Sequence, residues 1–156
     1  MTVVALTNFI EVTDARGRLQ FRFQNSKPGK VIRYRNRNYS YLSFIYQGAA
    51  KNRSGDNLES NLVLSSNKIS LGYAAEAARK RWNVRVDSCS MNPKTFAVGR
   101  TLSTEFWIAA SMSYDVETVE MLLSSSIDAV GASAPTRVLT RKLVGSLPVS
   151  SSIQNR

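Results

Sequence analysis

Asp115 and Glu117 are the residues of this chain whose spacing could do acid–base work. Two positions apart on an extended segment, they would share one face, and neighbouring carboxylates shift each other's proton affinity enough to act as acid and base. Nothing near them in sequence supplies a nucleophile, a metal-ligand set or a phosphate loop, so a hydrolase would stand on these two acids alone. The chain has no histidine. That removes the Ser-His-Asp and Cys-His designs, the usual zinc triads and the commonest base near neutral pH. Cys89 is the single cysteine, which excludes an intrachain disulfide and a cysteine cluster and predicts a buried packing role for that side chain. The glycines fit neither a dinucleotide loop nor a Gly-Lys-Ser/Thr ending. No catalytic residue, cofactor or metal is expected.

Charge is the second source of chemistry. Residues 1–53 hold ten Lys/Arg against two acids, and residues 54–156 eleven against nine, so +8 of the net +10 lies in the first third. Arg33, Arg35 and Arg37, with Lys51 and Arg53, are interleaved with Tyr34, Tyr39, Tyr41, Phe44 and Tyr46. A surface of one sign steers and holds the opposite sign, which points to polyanions or acidic protein partners. Basic and aromatic residues together could also stack exposed bases beside a cationic groove. Alternation, however, sends many of these rings toward a core, and a solvated strand face explains the same pattern.

The elements that would carry these residues are mostly short strands. After an N-terminal stretch expected to be mobile or to dock elsewhere, Arg18–Gln24 alternates Leu19, Phe21 and Phe23 with polar residues, as a half-buried strand does. Asn25–Gly29 supplies turn residues, Lys30–Arg35 resumes the extended pattern, and a turn at Asn36–Asn38 leads into Tyr39–Tyr46. These three strands suggest an antiparallel, meander-like start. Residues 48–60 are polar and Gly-rich and read as an exposed loop that orders only against a neighbouring subunit.

Leu62–Leu64 is a short strand. Leu71, Ala74, Ala75, Ala78 and Trp82 then recur with a helical period over 71–82, with Ser70 as N-cap, Glu76 four residues before Lys80, and a basic end that suits the helix dipole. Strands follow around Val84–Val86 and Thr104–Met112, separated by a turn at Asn92-Pro93 and Gly99. The run Tyr114–Leu123 fits a helix or a strand. One more strand is expected around Thr136–Val144, and the last eight residues should hang free or dock on a neighbour. Phe21, Phe23 and Trp82 should share a core with either Trp107 or the pair Phe106 and Ile108, because alternation alone does not choose.

At 156 residues the chain is about one ordinary domain, here drawn as 1–148 with a tail at 149–156. No run approaches the roughly 20 apolar residues of a membrane span, and the first residues lack the basic start of a secretion signal. A soluble protein made in a cytoplasm is expected. The fold class is mainly β, an antiparallel β-sandwich or split β-barrel with one packed α-helix.

Several stretches, in order, resemble the minor tail protein L family of long-tailed bacteriophages. Phe23-Gln-Asn, a basic-polar turn, Val31 with Tyr34, Asn38-Tyr39, Ile45 and Gly48 resemble that family's opening hairpin, although Asn36-Arg-Asn stands where its turn would carry glycine. Gly55 and Asn61-Leu-Val-Leu-Ser-Ser-Asn67 are similar to a strand end that precedes a helix. Ser113–Val130 and Pro135-Thr-Arg resemble a later strand, Asp-containing loop and proline turn. Members can carry a cysteine-rich C-terminal domain with an iron–sulfur cluster, which a chain with Cys89 alone does not match.

The resemblance implies a tail-tube-like virion structural protein at the tail tip or baseplate, a ring or hub adaptor joining the tube end to the central hub or spike. Its implied partners are the distal tail ring, the central hub and further copies of itself in closed symmetry, with at most non-specific nucleic acid. Arg33, Arg35, Arg37, Lys51 and Arg53 would be the subunit-interface candidates. A basic nucleic-acid-binding domain is the alternative, marked by steep loss of affinity with salt.

Overall fold

The computed structural model describes residues 3–48 and 59–125. Nine strands and one helix follow in the order β1 (Ala5–Thr13), β2 (Leu19–Gln24), β3 (Ile32–Tyr34), β4 (Arg37–Tyr41), β5 (Phe44–Tyr46), β6 (Glu59–Ser65), α1 (Lys68–Lys80), β7 (Asn83–Met91), β8 (Val98–Tyr114) and β9 (Thr118–Ser124). The chain is mainly β with a single helix among the described residues, as expected. The strands form one sheet in the order β3-β4-β2-β1-β7-β8-β9-β6-β5. It is mixed, because β2 and β4 run parallel through Phe23↔Ser40 and Gln24↔Tyr41, where a meander had been expected. Nor does the ladder close. Residues 42–44 nevertheless link its two ends: the Leu42 amide donates to the Gln24 carbonyl and the Ser65 amide to the Ser43 carbonyl, both at 3.0 Å.

The largest departure from the sequence reading is β1. The stretch expected to be mobile is an inner strand, paired with β2 on one side and with β7 along its whole length on the other. Its side chains are buried on both faces. Ile10 and Val12 enter the main core with Val84, Val86, Trp107, Leu62, Leu64, Val119, Met121 and Leu123. Phe9 enters a second cluster with Ile32, Tyr34, Tyr39, Cys89 and Met91. The β3–β4 hairpin supplies that second layer, which explains why its rings alternate with arginines: Tyr34 stacks on Phe9 at 4.4 Å, and Tyr39 meets Phe9 edge-on at 5.0 Å. Cys89 is fully buried, as its packing role requires.

The helix begins three residues earlier than its apolar period suggests. Asn67, not Ser70, is the N-cap: its Oδ1 accepts from the Ile69 and Ser70 amides at 2.9 and 2.8 Å. Ser70 returns a bond from the Asn67 amide at 3.0 Å and donates to the Ser65 carbonyl at 2.6 Å. This reciprocal box satisfies amides that a helix start otherwise leaves unpaired. Asn67→Ala is expected to cost about 1 kcal/mol, read as a lower urea midpoint at unchanged slope. At the other end Arg81 takes the left-handed conformation with φ 50°, which turns the chain so that Trp82 packs into the core just beyond the helix. Glu76 pairs with Arg79 and Lys80 at 2.7 and 2.6 Å, so these two cations of the helix's basic end have a local role.

Tyr114–Leu123 resolves as a strand, a turn and a strand. Glu59 and Ser60, read as the end of a loop, open β6, and Tyr39–Tyr46 splits into β4 and β5 at Leu42-Ser43. Gly99 lies inside β8, not in the turn: a Cβ there would stand 2.7 Å from Ser90 Oγ, so the bulged approach of β7 and β8 favours glycine. Residues 49–58 of the expected loop, the strand expected at 136–144 and the tail 149–156 lie outside the described residues.

Candidate interface surface

The basic hairpin is built on a two-residue turn. Arg35 and Asn36 both have positive φ, 48° and 63°, the pairing that a tight hairpin turn needs to match strand twist. The three arginines then meet different fates. Arg33 is exposed on the outer side and donates to the Asn36 side chain. Arg35 lies over the Tyr34 ring at 5.4 Å and 3.9 Å from the carboxylate of Asp87. Arg37 grips both oxygens of Glu11, at 2.8 and 2.6 Å. Two of the candidate interface arginines therefore face acids of their own chain. Lys51 and Arg53 lie outside the described residues.

Glu11 and Asp87 are the residues that sequence reasoning missed. Glu11 sits opposite Arg22 on β2 and Arg85 on β7, and accepts from Arg22 at 2.6 Å. Burial alone would raise its proton affinity, but the hydrogen bonds and charges of Arg22 and Arg37 outweigh it and hold the carboxyl below its ordinary value. Asp87, 2% exposed, receives Arg85 at 2.8 Å and Thr104 Oγ1 at 2.5 Å. The available signal was a lone acid within an apolar run, Phe9-Ile10-Glu11-Val12, in a segment otherwise rich in arginine. Such an acid is rarely left buried without a cation.

Between this network and the outer face of β8 lies a cleft of about 310 Å³, lined by Glu11, Arg37, Arg85, Phe106 and Ile108 among others. Phe106 is 71% exposed. The Nε of Arg85 is buried and has no hydrogen-bond partner among the described residues.

Asp115 and Glu117 do not form an acid–base pair. The Asp115 carboxylate is spent on the β8–β9 turn, where Oδ1 accepts the amides of Glu117 at 2.8 Å and Thr118 at 2.7 Å. Those backbone bonds, Thr118's first, hold it below its ordinary proton affinity. Among the described residues no group of three His, Cys, Asp or Glu side chains could hold a metal ion. The rings that might have stacked bases are largely enclosed: Tyr34, Tyr39 and Phe44 are all buried.

No protein-family model matches the sequence, and no curated protein matches it. Among solved structures, a chain from the virion of a native gene transfer agent particle shares the fold, with a TM-score of 0.56 and 14% sequence identity over 86% of this chain. The match spans 44% of that longer chain.

Proposed function

We propose that this protein is a structural component of a phage-like virion, a tail-tube-like subunit that joins the end of the tail tube to the central hub or spike. The observation that carries the reading is the shared fold with a chain of the gene transfer agent virion. The resemblance of stretches that together cover most of residues 19–148 to the minor tail protein L family supports it, and so does a site made of ion pairs and packed rings. Such a protein works by geometry: its β-domain repeats around an axis and closed symmetry fixes the subunit number. The distal tail ring and the hub are its neighbours. Arg33, the hairpin arginine turned outward, is the cation best placed to meet an acidic partner, since Arg makes planar, bidentate contacts with carboxylates.

Immunogold labelling of particles with antibodies to the purified chain tests the location. Label at one end of the tail is expected; particles that carry none of the protein would overturn the reading. Arg33→Glu should lower incorporation into tails while leaving the melting temperature unchanged, because that side chain is exposed and binds only within its own turn. Arg35 and Arg37 are unsuitable for this purpose, as reversing either places an acid against Asp87 or Glu11. A chain that binds DNA tightly at low salt, with affinity that falls steeply as salt rises, and that has no place in the particle would instead be the basic nucleic-acid-binding domain.

A further inference from the structure

The β8–β9 hairpin ends in an apolar knob that the other described residues leave bare. Val116 is 95% exposed and Tyr114 68%. The knob is held in shape from within: Asp115 caps the turn, its amide donates to the Thr118 carbonyl at 2.9 Å, and the Ser66 amide holds the Glu117 carbonyl at 2.8 Å. Residues 113–120 contain three acids and no Lys or Arg, the nearest cation along the adjoining connection being Lys68 at the start of α1. A rigid, exposed, apolar and acidic protrusion is a poor end for a solvated hairpin and a good insert for a partner.

The matching receptacle lies on the same molecule. The cleft beside β8 offers apolar surface in Phe106 and Ile108 and cationic groups in Arg37 and Arg85. Among the described residues that line it Glu11 is the only acid, and it is already shared by Arg22 and Arg37. Arg85 lines the same wall, and its buried Nε has no hydrogen-bond partner among the described residues. Phe106 and Tyr114 lie on one continuous strand, eight residues apart or on the order of 26 Å. The tip therefore cannot fold back into its own cleft.

We propose that the Tyr114–Glu117 tip of one copy docks in the Glu11–Arg85–Phe106 cleft of a second copy, with Val116 against Phe106 and Glu117 toward the arginines. Insert and receptacle are different surfaces, so the contact is head-to-tail and propagates from copy to copy into a ring or a stack. The inference rests on the reading of the chain as an assembly protein and names that protein's own partner.

A bifunctional thiol-reactive cross-linker tests it. Cys89 is fully buried, so it stays silent in the folded chain. The double variant Val116→Cys, Phe106→Cys should give a ladder of covalent multimers, whereas either single variant should give little beyond monomer. Val116→Cys paired with Ile45→Cys, an equally exposed site on β5, is the positional control. Adding Glu117→Lys to the double variant should cut the ladder roughly fivefold, the effect of one exposed charge contact. All substituted sites are exposed, and an unchanged melting temperature verifies the fold of each variant. Absence of a ladder, or an equal ladder from the control pair, overturns the proposal. If the ladder fails while the protein still localises to the tail, the docking is wrong and the virion reading stands; a ladder from a protein absent from particles has the opposite meaning.

Discussion

Trp107→Ala should lower the stability of the folded chain by about 3 to 5 kcal/mol, whereas Phe106→Ala, one position away, should change it by less than about 0.5 kcal/mol. The contrast follows from the register of β8. Trp107 pairs with Val84 and is 5% exposed, while Phe106 pairs with Arg85 on the opposite face and is 71% exposed. Truncating the indole opens a cavity in the main core, and it also removes a donor. Trp107 Nε1 donates to the Tyr46 hydroxyl at 2.7 Å, which in turn donates to Glu105. Burial and that bond to Glu105 push the Tyr46 phenol above its ordinary value of 10.0, so it stays protonated and able to donate. Urea unfolding of both variants is the measurement. The reverse contrast, with Phe106→Ala the costly change, would mean that β8 is shifted by one residue, since such a slip exchanges the faces.

That pair also shows what can be read from the sequence. Alternation along Thr104–Met112 identifies a strand and leaves two choices of inward face, because Phe106 and Trp107 are both large and apolar. What decides is the partner strand: Val84 and Val86 face the main core, and the antiparallel register puts Trp107 beside Val84. The helix was legible through its apolar period, but its start was not, since Asn67 and Ser70 are both good caps and only geometry gives them reciprocal roles. Strand β1 was illegible for a different reason. A strand covered on one face by the main core and on the other by the β3–β4 hairpin buries both sets of side chains, so the alternation that marks a half-buried strand vanishes. The arginines of the hairpin could be recognised as a basic group, yet the acids that hold Arg35 and Arg37 come from β7 and β1, which are distant in sequence. Long-range ion pairs leave no local pattern.

Glu11→Gln is the change that tests this network, and its effect should depend on pH in a defined direction. At neutral pH the variant keeps the shape of the side chain but withdraws the negative charge from between Arg22 and Arg37. Breaking a buried pair costs roughly 3 to 5 kcal/mol. Glu11 is 11% and Arg22 22% exposed, but Arg37 is 45% exposed and recovers hydration when released, so the loss should be nearer 2 to 3 kcal/mol. Because the folded state holds the Glu11 carboxyl below its ordinary value of 4.5, the charge contributes fully above that value. The contribution disappears as pH falls through the lower folded value. The gap in melting temperature between the natural chain and Glu11→Gln should therefore be constant from pH 7 to about 5 and close as the solution is taken more acid. High salt should shrink it only modestly, as the Glu11–Arg22 half of the network is shielded from solvent. A gap that did not narrow at any acid pH would show that the charge of Glu11 plays no part. The β3–β4 hairpin would then be held on the sheet by Phe9, Tyr34 and Tyr39 alone.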